Sequence, residues 1–226
     1  IKLFTDTSIL DFPRMFMNTF VIAVFTCIIS TIFVLSVAYS MSRMRFKMRK
    51  PFMNIAMILG LFPSFMSMIA VYYILRALNL ADGGMIRVAL IVVFAAGSGV
   101  GFYVSKGFFD TIPKSLDEAA IIDGATRWQV FTKITVPLSK PIIVYTILTS
   151  FMAPWVDFIF GKVICRADAR YYTVSIGLWK MLEKEYIDSW YTCFAAGAVV
   201  VSIPIAILFL MTQKFYVEGM SGAVKG

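Results

Sequence analysis

The residues able to do chemistry are few, and most sit together. The chain has 226 residues and no histidine. That removes Ser-His-Asp hydrolysis, histidine-ligated zinc and histidine proton switching. Of its three cysteines, Cys27 and Cys193 lie in or beside apolar stretches and read as packing residues, and Cys165 is expected to face outside without a partner. No carboxylates cluster inside an apolar stretch, so neither a metal site nor an intramembrane catalytic set is legible. The patterned polar segment is 106–140. Pro113-Lys114-Ser115-Leu116-Asp117-Glu118 opens a helix, with Ser115 and Glu118 at the spacing of a capping box. Ala119, Ala120, Ile121 and Ile122 continue it, and Gly124 ends it. Thr126 and Gln129 repeat the spacing and start a second helix with Trp128, Val130, Phe131 and Ile134 as apolar members, which Pro137 stops. The chemistry of such a segment is mechanical. A bent knob hinged at Gly124, with small residues Ala119 and Ala120, lets another surface approach closely and passes its motion on. A helix pair lying on lipid headgroups fits the same periodicity.

The elements that hold this knob are apolar. Hydrophobic residues make up 60% of the chain, Phe alone supplies 21, and mean hydropathy is +0.83. A soluble domain needs more polar surface than that, and disorder needs less hydrophobicity. Charge-free stretches run over 15–42, 51–75, 88–105, 141–156 and 189–213. A helix crossing a hydrocarbon core needs about 20 residues, so five spans are expected. The fourth reaches that length only if Asp157 sits near the interface and the helix continues through Phe158-Ile159-Phe160. None of the stretches alternates apolar and polar residues, which argues against a β-barrel. Pro63, Pro154 and Pro204 are expected to kink or end helical segments. Asn54, Ser64, Ser67, Ser98, Ser150 and Ser202 are the polar or small residues singled out within the spans.

Basic residues orient the bundle. Arg43 to Lys50 carries five basic residues and no acid, which marks a cytoplasmic loop. This places 106–140 and the C-terminus inside and 162–188 outside. Those two loops do not decide it themselves, each holding five basic and four acidic residues. The net charge of +8 needs no nucleic-acid partner, because the positive-inside loop accounts for five of the basic residues. The chain begins at Ile1 rather than Met, and a missing N-terminal part is expected.

Glu118-Ala119-Ala120, Gly124 and Ile134-Thr135-Val136-Pro137 resemble the EAA motif of ABC importer permeases, E-A-A-x3-G-x9-I-x-L-P, with Val136 in place of Leu. Phe151 to Phe158 is similar to the F-x-x-x-W-N-D-F segment of carbohydrate permeases, with Val156 in place of Asn. The ending Gly219 to Gly226 resembles G-L-T-A-G-A-V-K-G of the same group. The family implied is that of the smaller permease subunit of maltose and maltodextrin importers. The resemblance implies an all-α integral membrane protein, a polytopic bundle of the type I ABC importer permease kind. Five of six spans are present in a single permease domain over 1–226. It also implies a cytoplasmic coupling loop at 106–137, an extracellular loop at 162–188 and a cytoplasmic tail at 214–226.

By the same resemblance, Glu118, Ala119, Ala120, Asp123, Gly124, Ile134 and Pro137 serve ATPase coupling. Gly219, Gly222, Val224, Lys225 and Gly226 reach the ATPase interface, and Tyr171, Tyr172 and Trp179 contact a binding protein. Aromatics in that loop equally suit a membrane-interface belt. The implied partners are a second permease subunit, two ATP-binding-cassette ATPases, an extracellular sugar-binding protein and the lipid bilayer of the cell membrane. ATP and Mg belong to the ATPases, so this subunit is not an enzyme and carries no cofactor or metal. No residue is assigned to substrate. The cargo implied is maltose, maltodextrin or another oligosaccharide. Glycerol-phosphate, an alginate oligomer, and a secondary transporter in place of an ABC permease are the alternatives.

Overall fold

The computed structural model describes residues 2–61, 63–97, 101–166 and 168–223. Among these, all regular structure is helical. A short α1 (Lys2–Thr5) leads into α2 (Phe12–Arg43). The Asp11 side chain caps α2 by accepting from the Arg14 amide, with Pro13 in the first turn. Then come α3 (Arg49–Gly60), α4 (Ser64–Ala77), α5 (Met85–Gly97) and α6 (Gly101–Thr111). The cytoplasm-assigned segment supplies α7 (Lys114–Ile122), α8 (Arg127–Val130), a π turn over Phe131–Thr135 and α9 (Val136–Leu138). The chain closes with α10 (Lys140–Val156), α11 (Ile159–Cys165), a 3-10 turn at Ala169–Tyr171, α12 (Val174–Met181) and α13 (Ile187–Ala223).

Two apolar cores organise the bundle, and α2 threads both. Its first half contributes Phe12, Met15, Ile22 and Ala23 to a core shared with Leu90, Phe151, Trp155, Ile176 and Trp190. Its second half contributes Val34, Leu35, Ala38, Tyr39 and Met41 to a core with Phe102, Phe109, Ile112 and Ile142. Close approach between helices depends on small residues, as in membrane bundles generally. A Cβ on Gly177 of α12 would collide with the Met15 side chain, and one on Gly197 of α13 would stand 2.8 Å from Leu178 Cδ2.

Only part of the expected span pattern is continuous. Among the described residues, α2 and the 187–215 stretch of α13 are each long and apolar enough to cross a membrane. Up to four spans result if each of two bent helix pairs counts as one. The 51–75 stretch is two helices, not one. Leu61 caps α3, and α4 restarts behind Pro63, which has no amide proton and holds an extended ψ of 126°. The fourth span does not run on through Phe158. Asp157 is extended (ψ 122°), and the Asp157 carboxylate instead accepts from the Gly161 amide of α11. Pro154 and Pro204 lie inside assigned helices, two residues before the end of α10 and mid-way along α13 respectively.

Candidate functional site

The segment 114–138 forms the bent knob by specific local chemistry. At the end of α7, the Gly124 amide donates to Ile121 O and the Ala125 amide to Ala120 O, 3.0 and 2.9 Å. This is a Schellman closure, and it requires the left-handed φ of +85° that Gly124 adopts. The capping box of α8 is complete. The Gln129 amide donates to Thr126 Oγ1, and the Thr126 amide donates to Gln129 Oε1 at 2.7 Å.

Two local expectations fail. Ser115 and Glu118 form no capping box, because α7 starts two residues earlier than that box requires, with Pro113 as its cap residue and no side-chain cap bond. Glu118 is thereby left exposed, without a capping role. Pro137 does not stop the second helix. The π turn over Phe131–Thr135 widens the backbone just ahead of it, so the proline ring is accommodated and the helix runs to Leu138. The break comes at Ser139, where the direction changes by 81° into α10.

The knob presents an unusual surface. Glu118, Ala119, Asp123 and Gly124 are exposed, Ala120 and Ile134 half-buried, and Pro137 exposed. Beside them, Ile122 is 84% and Trp128 70% exposed. No residue of α7 is buried. Large apolar side chains stand open here around small residues.

The knob is fastened to the bundle at the last turn of α2. Arg43 Nε pairs with Asp117 Oδ2 at 3.3 Å, with side chains 4% and 14% exposed. Arg43 Nη2 also donates to Phe109 O and Ile112 O, each at 2.9 Å. Ser42 Oγ donates to Asp110 Oδ1 at 2.6 Å. The Tyr39 ring packs on Phe131 at 4.7 Å, and its hydroxyl donates to Arg127 O at 3.4 Å. Arg43 and Asp117 were visible in the sequence only as members of charged runs, so their pairing had no signal in spacing.

At the other end of α2, Asn18 is buried and donates to Arg170 O and Tyr172 O at 2.9 and 3.1 Å. Arg87 Nε donates to its Oδ1 at 3.0 Å. The signal for Asn18 was a lone amide in the first apolar stretch. The three aromatics expected to meet a partner separate here. Trp179 is 55% exposed, Tyr171 is half-buried with Arg87 5.5 Å above its ring, and Tyr172 is only 6% exposed. Tyr172 therefore leaves the contact set, because its ring is packed into the first core. Cys165 is also buried, with its thiol donating to Tyr171 O, and burial pushes that thiol up to about 12.

In the tail, Gly219 and Gly222 belong to α13, which runs to Ala223, while Val224, Lys225 and Gly226 lie outside the described residues. Within the bundle, α2, α4, α5, α6 and α10 enclose an open cavity of about 830 Å³. Its polar lining is Ser67, Tyr145, Thr146, Thr149, Ser150 and Asp157, with no Lys or Arg among its lining residues. Of the span residues singled out in the sequence, Ser67 and Ser150 line it, Asn54 and Ser202 are exposed elsewhere, and Ser98 lies outside the described residues.

Residues 32–220 match the family described as binding-protein-dependent transport system inner membrane component. The chain belongs to this family. As a member it is a membrane protein with the type I permease fold. It is 34% identical over 227 residues to the galactooligosaccharides transport system permease protein GanQ of Bacillus subtilis (strain 168), covering all of this chain and 78% of that one. It is 32% identical over 226 residues to the maltodextrin transport system permease protein MdxG of the same organism, again covering all of this chain and 79% of the relative. To the maltose/maltodextrin transport system permease protein MalG of Escherichia coli (strain K12) it is 34% identical over 200 residues, 84% of this chain and 64% of that one. Among solved structures, it superposes on a chain from the crystal structure of a bacterial ABC transporter involved in import of the acidic polysaccharide alginate. The TM-score is 0.76 at 26% identity, over 95% of this chain and 78% of that one.

Proposed function

We propose that this chain is one permease subunit of an ABC importer for a neutral oligosaccharide of the maltodextrin or galactooligosaccharide kind. A second permease subunit completes the pathway, an extracellular binding protein delivers the sugar, and two ATPases on the cytoplasmic side bind ATP and Mg and drive transport. This subunit has no catalytic residue in that scheme. The 106–137 segment is the coupling loop, with Glu118, Ala119, Ala120, Asp123 and Gly124 docking in an ATPase and Ile134 and Pro137 framing the loop's return to the bundle. The 162–188 loop, through Trp179 and Tyr171, meets the binding protein on the outside. The cytoplasmic tail, including Gly219, Gly222, Val224, Lys225 and Gly226, reaches the ATPase pair.

The observation that carries this reading is the exposed face of the knob. Ile122 and Trp128 stand open beside Glu118 and a tight glycine closure, on an element that buries none of its own α7 side chains. A helix pair resting on headgroups would place its charges toward water and its apolar face toward lipid, whereas here Glu118 and Asp123 share the exposed surface with Ile122. A neutral cargo is supported by the cavity lining, which offers hydroxyls and Asp157 but no cation to balance an acidic sugar.

The test is reconstitution with the partner permease, the ATPases and the binding protein, with ATP hydrolysis and uptake followed across a panel of sugars. Stimulation by maltodextrins or galactooligosaccharides is expected. Stimulation by alginate oligomers or glycerol-phosphate alone would overturn the cargo, and uptake without ATP would overturn the class.

A further inference from the structure

The knob is unusual in how it is held. Because α7 contributes no residue to either apolar core, apolar packing does not seat it against the bundle. What ties it is charge. Arg43 and Asp117 are nearly sealed from solvent, and Asp117 Oδ1, Arg43 Nη1 and Arg43 Nε have no hydrogen-bond partner, so the 3.3 Å Nε–Oδ2 approach is an ion contact without hydrogen-bond geometry. Asp117 takes its counter-charge from the Nε–Oδ2 contact, whereas the guanidinium also has two carbonyls, and a buried charge deprived of its partner is strongly disfavoured. The same guanidinium holds the end of α6 through Phe109 O and Ile112 O. One side chain thus joins the last turn of α2, the end of α6 and the first helix of the knob. One turn earlier on α2, Tyr39 grips the second helix through Phe131 and Arg127 O.

We infer that Arg43 and Asp117 are the latch through which displacement of the knob is passed to the membrane helices. Arg43 acts as a positioning residue for coupling and Asp117 as its counter-charge. The inference rests on the coupling-loop reading above and adds to it the route by which movement leaves the loop. The physical reason is stiffness. A helix pulled by a buried, desolvated ion pair must move with its partner, whereas a helix resting on exposed contacts can slip. Because α2 passes through both apolar cores, a shift at Arg43 is delivered to the wall of the cavity, which α2 lines at Val34.

The experiment uses the whole reconstituted complex and reads sugar transported per ATP hydrolysed, at matched amounts of co-purified ATPase. Asp117→Asn keeps the shape and the carbonyl bonds of Arg43 but removes the counter-charge. It should lower the ratio roughly tenfold, within the span of ordinary allosteric couplings, and Asp117→Glu should restore most of it. Arg43→Gln should be at least as damaging. The double variant R43Q/D117N should be no worse than R43Q, because the uncompensated carboxylate is gone. Arg43→Lys keeps a charge opposite Asp117 and should retain more of the ratio than R43Q.

A native ratio for D117N in a complex where Glu118→Lys is uncoupled would overturn the latch and leave the coupling loop standing. So would losses that multiply in the double variant, or an R43K variant as impaired as R43Q. A native ratio for E118K would instead overturn the coupling-loop reading, and the latch with it.

Discussion

Arg87 of α5 donates from Nε to Oδ1 of Asn18 in α2 at 3.0 Å. That bond leaves the Asn18 amide free to donate to the carbonyls of Arg170 and Tyr172. A single buried amide therefore binds two membrane helices to a loop more than 150 residues away. Twenty-five residues further along α2, about 37 Å at helical rise, Arg43 binds the knob. The 162–188 loop and the knob are fastened to opposite ends of one helix.

Removing that amide should loosen the outer loop. Asn18→Leu forfeits three hydrogen bonds and leaves two carbonyls and a guanidinium nitrogen unsatisfied, at a cost of about 1–3 kcal/mol. Asn18→Asp keeps the acceptor for Arg87 but sets a carboxylate against two carbonyls, and should be no milder. A lower melting temperature in detergent, with faster proteolysis after Arg166 or Arg170, is the expected outcome. Native melting and cleavage in both variants would show that the network is not structural.

The knob's closure depends on one dihedral. A Cβ added at Gly124 would meet open space, but the backbone there holds a φ of +85°. Substitution is therefore penalised by backbone strain and not by collision. Gly124→Ala should destabilise the closure by roughly 1–2 kcal/mol, and Gly124→Asp should add a charge to the exposed surface of the knob. Both should insert normally, yet complexes that carry them should hydrolyse ATP with reduced uptake, G124D more severely. Membrane yield, ATPase rate and uptake measured side by side check this, and wild-type uptake in G124D contradicts it.

Cys165 gives a pH signature. Its folded thiol lies at about 12 against an ordinary 9.0, chiefly because burial disfavours the thiolate and secondarily because Asp168 is near. The unfolded thiol is the stronger acid. This group's contribution to stability is therefore complete below pH 9 and is lost as pH rises from about 9 toward 12. In a variant retaining Cys165 as its sole cysteine, maleimide labelling at pH 8 should be slow until denaturant is added. Rapid native labelling would show that the site opens.

The C-terminal helix carries the fourth expectation. Deleting 222–226 removes the end of α13 and the residues that follow it. Co-purification of the ATPases should fall while the permease pair still assembles. Full retention of the ATPases would take the tail out of the interface.

Much of the site could be read from local pattern. Thr126 and Gln129 stand where a helix needs a cap, and Gly124 where a Schellman turn needs positive φ. Both features depend on residues within a few positions of one another, so spacing suffices to reveal them. Ser115 and Pro137 misled for the same reason. A neighbouring proline gave α7 a different start, and a π turn upstream absorbed the second proline, changes of register that no short motif displays.

The sequence by itself determined that the chain is a helical membrane bundle, because its apolar stretches leave no polar layer to cover a soluble core. It also determined the bent knob and the family. Only the tertiary structure decided which helices run unbroken, that Tyr172 and Cys165 are core residues, and that Asn18 and Arg43 anchor the two ends of α2. The two anchors depend on partners 66 to 154 residues distant. A carbonyl or carboxylate that far away leaves no mark on the local pattern of a chain until folding brings it within hydrogen-bonding distance.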